Sequence, residues 1–194
     1  LMNITIDDLH DIPKDVFEKK IKKVKKSTSG RLIVKEYPPA SANVNHFKNL
    51  LNELKLKRKF VPEIIFVDYL NIMSSARMKY GNSVNSYNYV KSIAEELRGL
   101  AVENNLPICS ATQTTRSGFT DTDFGLEDTS ESFGLPATAD FMFALISTEE
   151  LEELDQILIK QLKNRYSDPG RHKRFVIGID RAKMKLYDLE ESAQ

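Results

Sequence analysis

The sequence predicts an α/β fold with a mostly parallel sheet, on two observations. Residues 64–67 form a β-branched and aromatic run that ends on a carboxylate, Asp68. This pattern is typical of a buried parallel strand that delivers an acid to the carboxyl edge of a sheet, where ligands bind in open α/β folds. Strand-like and helix-like segments also alternate from residue 31 to residue 111, which favours a parallel sheet with right-handed crossovers.

Three segments carry apolar residues at the spacing of one helix face. They are residues 13–26 with Val16, Phe17, Ile21 and Val24, residues 47–54 with Phe47, Leu50, Leu51 and Leu54, and residues 90–101 with Val90, Ile93, Ala94, Leu97, Leu100 and Ala101. The first helix also carries a lysine cluster over 19–26, which is either a nucleic-acid patch or, as we favour, a solvated face. Residues 1–12 are short and acidic and are expected to be irregular.

Runs rich in β-branched and aromatic residues, bounded by turn residues, predict the strands. They are residues 31–37 before Pro38, residues 64–67, residues 106–111, residues 141–146, residues 156–162, and residues 175–179 and 185–189. The last two strands are joined by a turn around residues 180–183, so we expect them to pair antiparallel.

Composition bounds the class of protein. With 194 residues, 41% apolar and 29% charged, the chain predicts one folded α/β domain over 1–194 without a membrane segment. The first residues lack the regions of a signal peptide, and one cysteine, Cys109, fits a reducing compartment, so we expect a cytoplasmic protein. Cys109 is expected to be a small core residue. Lysine and arginine together number 28, as do aspartate and glutamate, so the formal net charge is zero. A protein without an excess of basic residues would contact nucleic acid only through local patches.

A strand-end aspartate such as Asp68 holds Mg²⁺ in many ATPases, yet the sequence has no phosphate loop of the form G-x-x-x-x-G-K-[ST]. None of the eight glycines is followed by lysine. The sequence therefore looks like the second half of an ATPase. Residues 114–129 form a long polar segment, a type of loop that is often functional.

Three motifs then stand in order: FVDYLNIM at 66–73, SATQTTRS at 110–117 and IKQLKNRY at 159–166. Together they resemble the C-terminal motor domain of the DnaB-type hexameric replicative helicases, and the chain as a whole is most similar to the T-even phage branch. The resemblance implies a RecA-like ATPase core with C-terminal antiparallel strands. It also implies that the phosphate-loop strand, its lysine and a catalytic glutamate lie upstream of residue 1, and that this strand pairs beside residues 107–112.

The resemblance assigns roles to four residues. Asp68 matches the Walker B aspartate that positions Mg²⁺, directly or through water, on the phosphates of ATP. Gln113 matches the phosphate-sensing glutamine, and a neutral amide can orient water or phosphate oxygens. Lys163 and Arg165 match the paired basic residues that reach the nucleotide of a neighbouring subunit. Arginine can place two hydrogen bonds on a phosphate and keeps its charge. These properties suit a finger in trans, which is a residue that contacts the nucleotide bound by a neighbouring subunit.

The resemblance also places single-stranded DNA against the loop over 114–133. The candidate DNA-binding residues are Arg116, Ser130, Glu131 and Phe133. Here the sequence departs from the bacterial pattern, because Ser130 stands where those helicases place an arginine. Arg116 is the only basic residue of a loop that is otherwise acidic, and such a loop binds phosphates poorly by charge alone. Backbone amides and stacking by phenylalanines could substitute.

The leading hypothesis is a fragment of an ATP-dependent replicative DNA helicase that unwinds duplex DNA by translocating on single-stranded DNA as a homo-hexamer. ATP and Mg²⁺ are expected in the complete protein and neither is expected on this chain, while a primase and a helicase loader are expected partners. A non-catalytic interaction protein that has lost nucleotide binding is an alternative. A recombinase-type ATPase of the same core fold is another.

Overall fold

The computed structural model describes residues 3–79, 85–113, 125, 134–168 and 170–189, and all that follows concerns these residues. Their helices are α1 (Ile6–Asp11), α2 (Lys14–Ser27), α3 (Val44–Arg58), α4 (Ser86–Asn104), α5 (Gly134–Thr138) and α6 (Glu149–Glu153), with a 3₁₀ turn over Leu70–Ile72. Their strands are β1 (Ile65–Val67), β2 (Ile108–Ser110), β3 (Phe141–Ile146), β4 (Gln156–Asn164), β5 (Arg174–Asp180) and β6 (Lys185–Tyr187). Among the helices of the described segments, none has the length and hydropathy that crossing a bilayer requires.

The chain divides into two compact units, which we describe separately. The first unit comprises the described residues of 1–35, 144–160 and 172–194, and the second those of 36–143 and 161–171. The single domain expected over 1–194 stays a prediction. Every candidate site residue that the structure describes belongs to the second unit.

Helix α4 is the centre of the second unit. Asn85 caps its first turn by accepting a hydrogen bond from the backbone N–H of Tyr87, at 3.0 Å. Ile93 and Leu100 of α4 are 1% and 0% exposed. The remaining core is built around the same face of α4 and contains Leu70, Met73, Tyr89, Val90, Ala94, Leu97 and Leu135. Helices α3 and α5, strand β2 and the 3₁₀ turn all contact α4, so the packing of the second unit is built on this helix.

The sheets confirm the α/β fold. Strands β1 and β2 are parallel, with Ile65 opposite Ile108 and Val67 opposite Ser110. The other sheet has the order β3-β4-β5-β6, and β5 pairs antiparallel with both β4 and β6, as predicted for the last two strands. Within the described residues β2 pairs only with β1.

Three expectations from the sequence are wrong. The segment 31–37 is not a strand; Leu32 and Val34 are 85% and 82% exposed, and alternation alone cannot form a strand without a partner to pair with. Residues 1–12 are not wholly irregular, because α1 forms where the side chain of Thr5 accepts a hydrogen bond from the backbone of Asp8. Cys109 is exposed rather than a core residue.

Glu96 of α4 holds the segment that follows the 3₁₀ turn. Its carboxylate accepts hydrogen bonds from the Ser75 hydroxyl at 2.5 Å, from the backbone N–H of Ala76 at 2.8 Å and from the Ser92 hydroxyl at 3.1 Å. The guanidinium of Arg77 lies 3.4 Å from the same carboxylate, whose side chain is 6% exposed. Burial opposes ionisation of Glu96, but these hydrogen bonds outweigh it and lower the pKa below its ordinary value of 4.5. Glu96 is therefore a charged group that holds residues 75–77 against α4.

We expect Glu96→Gln to lower the free energy of unfolding by about 2–3 kcal/mol at neutral pH, since an amide offers one acceptor oxygen where the carboxylate offers two. A lowered pKa contributes stability above the ordinary value, and this contribution is lost as the pH falls. The difference in the free energy of unfolding between wild type and Glu96→Gln is thus expected to narrow as the pH falls below 4.5. Urea unfolding from pH 7 to pH 3.5 measures it.

The matched control is Glu95→Gln, because Glu95 also pairs with Arg77, at 2.8 Å, but its side chain is 43% exposed. Its effect is expected to stay within about 1 kcal/mol. Equal losses for the two variants, or a difference independent of pH, would contradict the role given to Glu96.

Gly178 of β5 lies opposite Tyr187 of β6, and the tyrosine ring covers it. A Cβ at residue 178 would meet the ring atoms Cε2 and Cζ at less than van der Waals separation. We expect Gly178→Ala to destabilise the protein by roughly 1–3 kcal/mol in thermal or urea unfolding, because the ring must move away. Gly30→Ala is the control, since a Cβ there meets open space; a loss of the same size for both would contradict this account.

Candidate functional site

Asp68 and Gln113 lie at the same edge of the parallel pair. Asp68 directly follows β1 and its side chain is exposed, while Gln113 follows β2 by three residues. Two hydrogen bonds join the strand ends: the Ser110 hydroxyl donates to the Val67 carbonyl at 2.9 Å, and the Leu70 N–H donates to the Ala111 carbonyl at 3.1 Å. The structure therefore brings these two predicted site residues to one edge of the sheet.

Side chains also cross between the two strand ends. The Gln113 amide donates from Nε2 to the hydroxyl oxygen of Tyr69 at 3.3 Å, and the Thr112 hydroxyl donates to Asn71 Oδ1 at 2.8 Å. Tyr69 directly follows Asp68, so the residue that holds the amide is attached to the residue that carries the carboxylate. Gln113 is therefore linked, through the Tyr69 side chain, to the residue next to Asp68.

The exposed carboxylate of Asp68 fits a Mg²⁺ ion that is shared with a substrate phosphate. No group of three or more histidine, cysteine, aspartate or glutamate side chains within the described residues could hold an ion. Mg²⁺ is commonly bound through one or two carboxylates, with the remaining positions taken by water and substrate phosphates. The side chain of Asp68 is a carboxylate donor of this kind.

Lys163 and Arg165 form a second group, at the end of β4. The Lys163 ammonium donates a hydrogen bond to the Pro136 carbonyl, and Arg165 Nη2 donates to the Ala137 carbonyl at 3.0 Å. Both acceptors belong to α5, the five-residue helix that directly follows residue 133. The carbonyl end of a helix is partly negative, so it suits cations.

Asp140 lies between Arg165 and a third cation, Arg98 of α4. Its Oδ1 atom accepts from Arg98 Nη1 at 2.8 Å and from Arg165 Nη1 at 2.9 Å. Arg98 Nη1 also donates to the Thr138 carbonyl at 2.7 Å. The hydrogen bond from Arg98, joined by that from Arg165, outweighs burial and holds the pKa of Asp140 below its usual range.

We call Arg98, Asp140, Lys163 and Arg165 the basic cluster. Desolvation, followed by the charge of Arg165, lowers the pKa of the Lys163 ammonium. Three cations and one carboxylate leave an excess of positive charge among these four side chains. A cluster with this excess favours an anion such as a phosphate.

The structure thus places the predicted residues in two groups, Asp68 with Gln113 and Lys163 with Arg165. No described hydrogen bond or ion pair joins one group to the other. The four candidate DNA-binding residues, Arg116, Ser130, Glu131 and Phe133, lie outside the described residues.

Sequence reasoning missed Tyr69, Arg98 and Asp140. Tyr69 stood beside a recognised motif, and its position after Asp68 was the available signal. Arg98 and Asp140 are 42 residues apart, and Asp140 and Arg165 are 25 apart. No spacing rule links such positions before the fold is known.

Comparisons with known proteins define first the class of the fold. The structure superposes on a solved helicase ATPase domain with a TM-score of 0.75 and 19% identity, covering 97% of this chain and 67% of that one. It superposes equally well, at 0.75 and 18% identity, on a DnaB-like replicative helicase whose structure was described with its interactions with primase, covering 97% of this chain and 45% of that one. At these identities the matches show the fold, which is that of RecA-like helicase ATPase domains.

The sequence then shows the family. The model of the DnaB-like helicase C terminal domain matches residues 2–174. The DnaB-like replicative helicase of Enterobacteria phage T4 is 46% identical over 196 residues, covering 100% of this chain. The chain belongs to the DnaB-like helicases, and the match is to their C-terminal domain. It spans 41% of the length of the T4 relative.

Proposed function

We propose that residues 1–194 form part of the motor of an ATP-dependent replicative DNA helicase. In the whole protein, six copies form a ring that translocates on single-stranded DNA and unwinds the duplex. The observation that carries this proposal is the basic cluster at the end of β4, which presents an excess of positive charge in a member of the DnaB-like family. Such a cluster needs an anionic partner, and the nucleotide of a neighbouring subunit is one.

Asp68 and Gln113 act on the nucleotide of their own subunit in this proposal. Bound ATP and Mg²⁺ supply the phosphoryl group and the cation that neutralises it. Asp68 holds the cation, directly or through water, since it is exposed at the sheet edge. Gln113 orients a water molecule or a phosphate oxygen, and its hydrogen bond to Tyr69 limits the positions that its amide can take.

Lys163 and Arg165 act in trans on the neighbour's nucleotide. The described bonds of Arg165 engage Nη1 with Asp140 and Nη2 with Ala137, whereas a guanidinium carries five N–H donors. The same group can therefore bind a phosphate while it stays attached to α5 and Asp140. This arrangement supplies a fixed positive charge to a transition state whose negative charge is spread over its phosphoryl oxygens.

DNA and protein partners follow from the family rather than from described contacts. We propose that Arg116, Ser130, Glu131 and Phe133 contact single-stranded DNA in the ring channel. A primase is a proposed partner because one structural neighbour was described with its primase interactions. A helicase loader is also a proposed partner, because a closed ring must be placed on its DNA strand.

We expect residues 1–194 alone to show no ATP hydrolysis, with or without single-stranded DNA. The sequence contains no G-x-x-x-x-G-K-[ST] segment, so the γ-phosphate has neither its lysine nor its backbone cradle. Phosphate release is the measurement, and Asp68→Ala is the matched control. Turnover by the unextended chain that Asp68→Ala abolishes would contradict this expectation.

Rings assembled from two defective subunits test the trans role of Arg165. Asp68→Ala disables a subunit's own nucleotide site and Arg165→Ala disables its finger, so each uniform ring is expected to lose ATPase on the order of 10³-fold. At equal mixing, half of the nucleotide sites are intact and half of the neighbouring fingers are intact. About a quarter of the interfaces are therefore complete, and turnover is expected to return.

This test uses the full-length subunit that contains residues 1–194. Arg58→Ala, an exposed arginine in the last turn of α3, serves as the control for arginine removal and is expected to keep full turnover. Failure of the mixture to regain turnover, when subunit exchange is verified, would contradict a finger in trans.

A further inference from the structure

We infer that Asp140 is the positioning residue of the trans finger: together with Arg98 it fixes the guanidinium of Arg165 in the orientation that meets the neighbour's nucleotide. This inference rests on the function proposed for Arg165. It concerns two residues, Asp140 and Arg98, that do not themselves touch the nucleotide.

The contacts of Arg165 are the first support. Its side chain is held at two points, by Asp140 through Nη1 at 2.9 Å and by the Ala137 carbonyl through Nη2 at 3.0 Å. Its backbone N–H donates to the Asp140 carbonyl at 3.0 Å. Asp140 thus binds both the backbone and the guanidinium of Arg165. These two contacts fix the direction of the side chain and the plane of the guanidinium group.

Arg98 connects Asp140 to helix α4. It is part of α4, whose buried face includes Leu97 and Leu100 at 4% and 0% exposure. Arg98 Nη1 donates both to Asp140 Oδ1 at 2.8 Å and to the Thr138 carbonyl at 2.7 Å. The carboxylate that orients Arg165 is therefore tied to the helix that carries most of the buried core residues of its unit, and a helix buried in this way opens only when the unit unfolds.

Charge explains why a carboxylate is required at residue 140. Arg98 and Arg165 both donate to the same oxygen atom, so their guanidinium groups are close neighbours of like charge, and Lys163 adds a third cation. Without the carboxylate these cations repel one another. Arg165 is the more exposed of the two arginines and follows the end of a strand, so it is the group that would move.

Loss of orientation predicts a defect of a particular kind. A finger that stabilises the transition state affects kcat, whereas nucleotide binding within each subunit depends on residues elsewhere. In the full-length subunit containing residues 1–194, Asp140→Ala is expected to lower the kcat of ATP hydrolysis by about 10- to 100-fold, the range expected of a misplaced group. The KM for ATP is expected to change by less than about 3-fold.

Mixed rings distinguish a positioning role from damage to the fold. Asp140→Ala subunits are expected to regain turnover when mixed with Asp68→Ala subunits, because they keep an intact nucleotide site and receive an intact finger from the neighbour. They are expected to gain nothing from Arg165→Ala subunits, because both subunits then lack a working finger. Asp15→Ala is the matched control, since Asp15 is exposed on α2 and pairs weakly with Lys19 at 3.9 Å.

Each outcome decides the inference. Recovery with Asp68→Ala but not with Arg165→Ala supports it. Full activity of Asp140→Ala, or recovery with neither partner in rings of normal stability, overturns it. If Asp140→Ala lowers the melting temperature so far that rings do not form, Asp140→Asn replaces it, with the same pattern of recovery expected and a smaller loss of kcat.

The proposed trans role of Arg165 is judged separately, by the mixture of Asp68→Ala and Arg165→Ala subunits. If that mixture regains turnover while Asp140→Ala behaves like wild type, only the inference about Asp140 fails. If that mixture stays inactive, the trans role fails and the inference fails with it.

Discussion

Burial of one face of α4 is the constraint on which the rest of the second unit depends. Ile93 and Leu100 are almost wholly removed from water, so the helix cannot rotate or slide without exposing them. Its polar positions are fixed as a result. Glu96 binds the segment that follows the 3₁₀ turn, and Arg98 binds Asp140 at the start of β3. The packing of α4 therefore sets the position of both groups of candidate residues. None of the site residues predicted from the sequence and described by the structure lies on this helix.

The two groups use polar contacts of different strength. At the sheet edge, Gln113 and Tyr69 are joined by a single long hydrogen bond of 3.3 Å between neutral groups. In the basic cluster, ionised groups are joined at 2.8 and 2.9 Å. Charge-assisted bonds are shorter and stronger than neutral ones. These contacts agree with the roles proposed above, in which Gln113 moves with its ligand and Arg165 is in place before the ligand arrives.

Local pattern in the sequence was enough for most elements of the fold. The predicted strand over 141–146 coincides with β3, and the helices α2, α3 and α4 were found from their apolar spacing. The segment 31–37 failed because a strand is stabilised by its partner as well as by its own alternation. The motif over 159–166 identified Lys163 and Arg165, yet it could not show what holds them. That information lies in Asp140 and Arg98, which only the folded chain brings together.

The single oxygen of Asp140 that binds two guanidinium groups has a consequence for how this family diverges. Loss of the carboxylate at residue 140 alone leaves the Arg98 and Arg165 guanidinium groups close together without a counter-charge, and loss of either arginine removes one of the two ion pairs that place Asp140. Residues 98, 140 and 165 are therefore expected to be inherited as a set, while exposed positions such as Lys19 drift independently. We therefore expect divergence of this part of the chain to be limited by a carboxylate that positions other groups.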